Sequence, residues 1–286
     1  MSATTLSSTD LAATATTRRP PALGGALRGL IARRLALTLR TPRAILLPLA
    51  TPVLIAVVIA PALAKTAGPV GGIDYMTYVA IGTAALVVPL SCMQAGLGVI
   101  VDRKSGAQPD LLAAPIPRSL LVIANLAAAL VASGLQLAAL IGFSAVRGAS
   151  FNAALGGVGW FLAAAIGLAV AIYGIAEMLA NRIGEEEEYV NAIPTIGIAP
   201  WFFAGSLFSI HSLPGWLAVI AKLLPVTQAL ALMRYGLVDP HAADLHAIWG
   251  LSSPTVMAAL SLAVLVAYAA ALTYLATRFF TRKALS

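Results

Sequence analysis

Long apolar runs dominate this 286-residue chain, and short polar segments separate them. The runs are long enough to cross a membrane, because about 20 apolar residues in an α-helix span the hydrocarbon core of a bilayer. They lack the strict alternation of a barrel strand, and backbone groups in hydrocarbon must be satisfied within their own segment, which favours helices. The pattern predicts six transmembrane helices at about 44–64, 78–101, 119–146, 153–178, 190–210 and 255–277.

The segment ahead of the first run, ALRGLIARRLALTLRTPR, has a helical period of its own. It places leucine and isoleucine at spacings of three and four, and its arginines fall largely elsewhere on the helix. A basic amphipathic helix of this kind lies along the cytoplasmic lipid surface, where anionic headgroups attract the arginines. Residues 1–26 carry no comparable pattern and are predicted to be a disordered cytoplasmic tail.

The segment between the fifth and sixth runs contains two apolar stretches of roughly ten residues, bounded by prolines. Such stretches are too short to cross the bilayer and are typical of re-entrant or interfacial helices. The predicted fold class is therefore all-α and integral to the membrane. It has six transmembrane helices, an N-terminal amphipathic interfacial helix, and re-entrant or interfacial helices between spans five and six, forming one transmembrane domain over residues 27–286.

Composition narrows the function classes. Hydrophobic residues make up 60% of the chain and charged residues 10%, whereas soluble domains carry about 25% charged residues. The net charge of +7 is spread over short loops and the N-terminal arm and forms no basic patch with aromatics, which argues against a nucleic-acid partner. The only cysteine, Cys92, excludes an intramolecular disulfide and a multi-cysteine metal site.

Positive charge also predicts the orientation of the spans. With the N-terminus inside, fourteen lysines and arginines fall on the cytoplasmic side and four, Lys65, Arg147, Lys222 and Arg234, on the other. Cytoplasmic loops carry the excess of these residues. We therefore expect a multi-pass protein of the plasma membrane with both termini in the cytoplasm.

The chain contains no G-x-x-x-x-G-K-[ST] phosphate loop, no G-x-G-x-x-G, no H-E-x-x-H and no G-x-S-x-G. We predict no catalytic residues, so uphill transport would draw its energy from a partner or an ion gradient. A gradient-driven transporter usually carries an ionisable residue deep in a span. Glu177 comes nearest, at the cytoplasmic end of the fourth run.

Two polar segments leave alternatives open. The acidic run Glu185, Glu186, Glu187 and Glu188 suits the positive N-terminal end of the following helix, or a contact with basic residues of a cytoplasmic partner. The segment DPHAADLH, residues 239–246, has spacings that match no familiar ligand pattern, so no metal site is predicted. It is the only polar cluster that could serve a membrane enzyme or assembly factor.

The segment DRKSGAQPDLLAAPIPR, residues 102–118, resembles the pattern after the second membrane helix in permease subunits of type-2 family ABC exporters. These include the daunorubicin-resistance-like and polysaccharide-export permeases. The family often has glutamate at the first position, and Pro109 replaces a more helix-compatible residue. The matching residues are Asp102, Arg103, Gly106, Leu111, Leu112, Pro115 and Arg118.

A second segment, FFAGSLFSIHSLPGWLAVIAKLLPVTQALALMRYGL, is similar to the stretch that follows the fifth span in the same family. The family has a small-residue element with glycine there, then LPGWL, PVT and an arginine before the last span. The residues that carry this similarity are Phe203, Gly205, Leu213, Pro214, Trp216, Pro225 and Arg234.

The resemblance implies a permease domain whose 102–118 loop is gripped by a separate ABC ATP-binding subunit. ATP and Mg²⁺ would bind that subunit, and no cofactor is expected in this chain. The permease would pair with a second copy or a sibling permease, with small residues such as Gly96, Gly98, Gly156, Gly157 and Gly159 allowing close helix contacts.

The expected cargo is a hydrophobic or amphipathic drug or lipid, because few charges line the spans. A polysaccharide, which would favour aromatic stacking and hydrogen-bonding groups, is the alternative cargo, and the sequence names no substrate-binding residues. The alternatives are a gradient-driven secondary transporter and a membrane enzyme or assembly factor.

Overall fold

The computed structural model describes residues 23–107, 111, 113, 117, 119–152, 154–239 and 241–283. Most of the expected tail, residues 1–22, lies outside this range. The described residues form helices and no sheet, with one isolated bridge between Val70 and Ile73. The α-helices are α1 (Leu23–Arg40), α2 (Pro42–Leu54), α3 (Ala60–Ala67), α4 (Tyr75–Lys104), α5 (Ser119–Val146), α6 (Leu155–Arg182), α7 (Glu186–Ile193), α8 (Ala199–Phe203), α9 (Gly215–Leu223), α10 (Pro225–Leu237), α11 (Ala243–Trp249) and α12 (Pro254–Lys283).

Five helical segments within the described residues are long and apolar enough to cross a membrane. They correspond to the first, second, third, fourth and sixth predicted runs, so the protein is a multi-pass membrane protein. The segments are Leu46–Ala67, Tyr75–Lys104, Ser119–Val146, Leu155–Arg182 and Pro254–Phe279.

Two wide π-helical turns each end two residues before a proline. One, Ile55–Ile59, joins α2 to α3, and the other, Pro194–Ile198, joins α7 to α8. The N–H of Ala60 reaches back to the carbonyl of Ile55, and Pro61 follows. Proline has no N–H to donate and its ring collides with the carbonyl four residues back. The extra residue in the turn accommodates that collision, so the helix continues past the proline.

The predicted fifth run is shorter as a helix than as an apolar stretch. The α7–α8 segment ends at Phe203, and the chain then turns through Gly205, whose φ is +81°. Beyond it, α9 and α10 meet at a bend of 80°, a geometry that suits either a broken span or a re-entrant loop. The count of six spans therefore stays a prediction. Short helices are present in this region, but their re-entrant or interfacial placement stays a prediction as well.

The helix α4 forms the centre of the bundle. Every residue from Thr77 to Met93 is buried, and α2, α5, α6 and α10 pack around the helix. The helices α10 and α12 pack against α6 and against each other. Gly157 of α6 and Gly236 of α10 meet where these helices cross, and a Cβ on Gly157 would overlap the Gly236 carbonyl.

Loops assigned to the same side of the membrane from the sequence lie at the same end of the bundle. At one end, the Arg182 guanidinium lies over the Phe279 ring, 4.9 Å from its centroid. At the other, the N–H of Ser150 donates to the Thr77 hydroxyl at 3.0 Å. The two ends are thus partitioned as expected; which of them faces the cytoplasm stays a prediction.

Candidate functional site

The last three residues of α4 each contact a different element, and together they form what we call the charged end of α4: Asp102, Arg103 and Lys104. The helix terminates just beyond them because Gly106 adopts a φ of +78°, a left-handed conformation that glycine enters without steric cost. These residues begin the 102–118 segment.

Asp102 is held by two arginines of α1. Its carboxylate accepts a hydrogen bond from Arg34 Nη1 at 2.7 Å, and Arg33 Nη2 lies 3.6 Å away. The Arg34 guanidinium is buried against α4, where Gly98 leaves room for it, and a Cβ on Gly98 would overlap it. The expectation that the arginines of α1 face lipid headgroups is therefore wrong for Arg34. Its guanidinium points into the protein because it pairs with the carboxylate of Asp102, 68 residues away in the chain.

Arg103 binds the end of α6. Its guanidinium donates to the carbonyls of Ala180 at 3.1 Å and Ile183 at 2.6 Å. The last carbonyls of a helix lack partners within the helix and carry its negative dipole end, so a cation stabilises them. Arg103 thereby joins the end of α4 to the end of α6.

Lys104 reaches the acidic run before α7. Its ammonium donates to Glu185 Oε2 at 2.6 Å, and this hydrogen bond holds the pKa of the Glu185 carboxyl below its ordinary value. The other glutamates of the run, Glu186, Glu187 and Glu188, are exposed in the first turn of α7. Acidic residues favour this position because the N-terminal end of a helix is positive. A contact between them and a partner stays a prediction.

The remaining residues of the predicted coupling set are only partly described. Leu111 is half-buried against the hydrophobic core. Gly106 is exposed, and no heavy atom lies near the position of a Cβ built on it. Leu112, Pro115 and Arg118 lie outside the described residues, as do Pro109 and Asp110.

A cavity of about 410 Å³ adjoins the charged end of α4, between α1, α4 and α5. Arg33, Arg34 and Asp102 line the end of the cavity that lies at the charged end of α4, and we call this end the mouth. Four hydrogen-bonding side chains line the cavity along α4 and α5: Ser91, Gln94, Asn125 and Gln136. Sequence reasoning missed this cavity, since its walls come from three helices and the helical period does not predict which of their faces meet.

Glu177 is more deeply placed than its position near the end of α6 suggests. It is 1% exposed, accepts a hydrogen bond from the Tyr173 hydroxyl at 2.6 Å, and accepts another from Asn181 Nδ2 at 3.1 Å. The spacing of four residues between these three side chains was visible in the sequence and places them on one face of α6. A small pocket of about 30 Å³ connects this face to Arg34 and Asp102.

Arg234, counted as a loop residue from the sequence, is 1% exposed at the other end of the bundle. It pairs with Asp244 at 2.6 Å, donates to the carbonyls of Gly205 at 2.9 Å and Ser206 at 3.1 Å, and lies over the Tyr78 ring.

Asp239 accepts backbone hydrogen bonds at the start of α11, from the N–H of His241 at 3.1 Å and of Ala243 at 2.5 Å. Burial raises its pKa above the ordinary value. The two carboxylates of the 239–246 segment thus hold the fold together locally, which weakens the case for a membrane enzyme there.

A family model described as "ABC-2 type transporter" matches residues 26–238. The match covers the greater part of the chain, from α1 to the end of α10, and includes both segments on which the expected resemblance rests. No curated protein matches the chain. The resemblance is confirmed at the level of the family: the chain belongs to the ABC-2 type transporter family, which supplies the membrane-spanning permease subunits of ABC transporters.

Proposed function

We propose that this chain is the permease subunit of an ATP-driven exporter of the daunorubicin-resistance-like type. It moves a hydrophobic or amphipathic compound, a drug or a lipid, out of the cytoplasm across the plasma membrane. A separate ATP-binding subunit that carries ATP and Mg²⁺ provides the energy. The permease acts as a dimer with a second copy or with a sibling permease, and both termini are cytoplasmic.

The observation that carries this proposal is the charged end of α4. Asp102, Arg103 and Lys104 are joined to α1, α6 and the start of α7 respectively. A displacement of the adjoining loop by an ATP-binding subunit would therefore pull on three elements besides α4. Coupling of ATP hydrolysis to transport requires such a rigid connection, because ATP would be hydrolysed outside the membrane and the compound would move within it.

Transport in sealed inside-out vesicles tests the proposal. Vesicles that contain the chain and its proposed ATP-binding subunit should accumulate a hydrophobic fluorescent dye when ATP is added. Accumulation should continue after an uncoupler has dissipated the ion gradients. Uptake that stops with the uncoupler and proceeds without ATP would contradict an ATP-driven mechanism.

The predicted coupling role of the loop has its own test. Gly106→Val forces a β-branched residue into a left-handed conformation, which costs at least about 1–2 kcal/mol. We expect ATP hydrolysis to become uncoupled from dye transport, or the ATP-binding subunit to be lost. Gly184→Val is the matched control, because Gly184 lies in the neighbouring loop, has no positive φ, and has no heavy atom near the position of a Cβ. Equal transport by both variants would contradict the assignment.

The buried Glu177 is the observation that favours a gradient-driven transporter as the second candidate. A carboxylate that carries protons through the membrane is essential to the transport it drives. Under the exporter proposal, Glu177→Gln keeps a hydrogen-bonding partner for Tyr173 and Asn181, so ATP-driven uptake should stay within about twofold of the unmodified protein. Complete loss of transport with a stably folded Glu177→Gln protein would favour the second candidate.

A further inference from the structure

The cavity between α1, α4 and α5 has a polarity gradient along its length. In α4, Ser91 lies eleven residues before Asp102, and in α5, Gln136 lies eleven residues after Asn125. At 1.5 Å per residue each interval corresponds to about 16 Å. The hydroxyl of Ser91 lies against the side-chain carbonyl of Gln136, so the two helices run antiparallel with matching ends. The cavity therefore extends from a charged mouth to an inner end lined by hydroxyl and amide groups.

Among the described residues, the mouth carries one net positive charge, since two arginines and one aspartate line it. Asp102 is engaged by Arg34 at 2.7 Å, a distance typical of a strong charge-assisted hydrogen bond. Arg33 is bound less closely, at 3.6 Å, and its side chain is 37% exposed. An anion at the mouth would find Arg33 available, whereas a cation would meet two arginines and a carboxylate that is already paired.

The walls between the two ends are mixed. Leu37, Leu97 and Val101 contribute apolar surface, and three alanines of α5 leave the space open. The side chains of Gln94 and Asn125 each present both donors and acceptors. The volume of about 410 Å³ falls within the range of about 300–1,000 Å³ found for small-molecule sites. The lining suits a molecule with an apolar body that also carries carbonyl or hydroxyl groups.

We propose that this cavity binds an elongated amphiphilic anion bearing carbonyl or hydroxyl groups, with its anionic end on Arg33 and its body between α4 and α5. That the bound molecule is also the transported compound rests on the proposed function. Asp102 belongs to the mouth of the cavity and to the charged end of α4. An anion that draws Arg33 away from Asp102 alters the contact between α1 and the segment proposed to meet the ATP-binding subunit.

Cysteine protection tests this site without ATP or a partner. In a Cys92→Ala background, Ala132→Cys places a thiol on the cavity wall, and Leu135→Cys places one on the exposed face of the same helix. Each variant is placed in phosphatidylcholine nanodiscs and its reaction with N-ethylmaleimide is timed. The probes are deoxycholate below its micellar concentration, its neutral methyl ester, and its cationic dimethylaminopropyl amide. Thr38→Cys provides a second cavity position should Ala132→Cys fold poorly.

We expect deoxycholate to slow modification at position 132 at least fivefold and to leave position 135 unchanged. The ester should protect less and the cationic amide not at all, and Arg33→Gln should remove the advantage of the anion. Equal slowing at both positions, or equal protection by all three steroids, would overturn the proposal. Because the assay involves no nucleotide, its failure leaves the ATP-driven transport test unaffected, and failure of that test leaves the binding result standing.

Discussion

Arg34 holds together α1 and the charged end of α4. Its guanidinium is buried, pairs with Asp102 and approaches the carbonyl of Ala95 at 3.4 Å. Removing one partner of a buried ion pair leaves an uncompensated charge, which costs about 3 kcal/mol. We therefore expect Arg34→Ala to lower the free energy of unfolding by about that amount.

Thermal unfolding of the purified protein in a mild detergent measures this loss, with Arg33→Ala as the control. Arg33 is more exposed and 3.6 Å from Asp102, so its removal should cost less than about 1 kcal/mol. A melting temperature for Arg34→Ala that equals that of Arg33→Ala would show that the buried pair does not stabilise the fold.

Single residues mark the limit of what the sequence could predict. From the sequence, Arg34 and Arg234 were both interpreted as positive charges that set the membrane orientation. In the structure, both are buried in ion pairs. The carboxylate that takes Arg34 is 68 residues distant, and no periodicity links the two positions. The set Tyr173, Glu177 and Asn181 was within reach of sequence reasoning because it follows the helical period, but its burial depends on neighbouring helices.

At the scale of elements, the crossing of α6 and α10 depends on two glycines. A Cβ on Gly157 would overlap the backbone carbonyl of Gly236, which cannot rotate away as a side chain would. Overpacking of a tight contact costs about 1–3 kcal/mol. We expect Gly157→Ala to lower the free energy of unfolding by this amount, so that the protein unfolds at a lower temperature. The measurement is the loss of monodisperse protein on size-exclusion chromatography after heating.

Gly159→Ala is the matched control, since nothing lies near the position of its Cβ and alanine favours a helix over glycine by about 1 kcal/mol. It should leave stability unchanged or raise it slightly. Equal stability of the Gly157→Ala and Gly159→Ala variants would contradict a close crossing of α6 and α10 at Gly157.

Hydropathy predicted the helix boundaries correctly where an apolar run of membrane-spanning length ends in a polar loop. The predicted 119–146 span coincides with α5, Ser119–Val146. The 190–210 run is not one continuous helix, and hydropathy could not have predicted the interruption. Arg234 donates hydrogen bonds to the carbonyls of Gly205 and Ser206. In a helix that continued through this region, these carbonyls would instead accept hydrogen bonds from backbone N–H groups of the helix. The turn after Phe203 is thus stabilised by a residue of α10.

At the scale of the whole molecule, the charge bias of the loops predicts which end of the bundle faces the cytoplasm. Ser105 and His211 are exposed at opposite ends. In intact cells that carry Cys92→Ala, an impermeant thiol reagent should label His211→Cys and spare Ser105→Cys until the cells are opened. Labelling of Ser105→Cys in intact cells would invert the topology.

The central claim is that the molecule is one part of a larger ATP-driven machine. The most direct measurement is to express the tagged chain with its natural genomic neighbours, purify it in a mild detergent and quantify every polypeptide that accompanies it. The account predicts an ATP-hydrolysing subunit in equal molar amount, within a complex that contains two permease chains. A chain that purifies without any nucleotide-binding subunit, even after chemical cross-linking in the cells, would contradict the account.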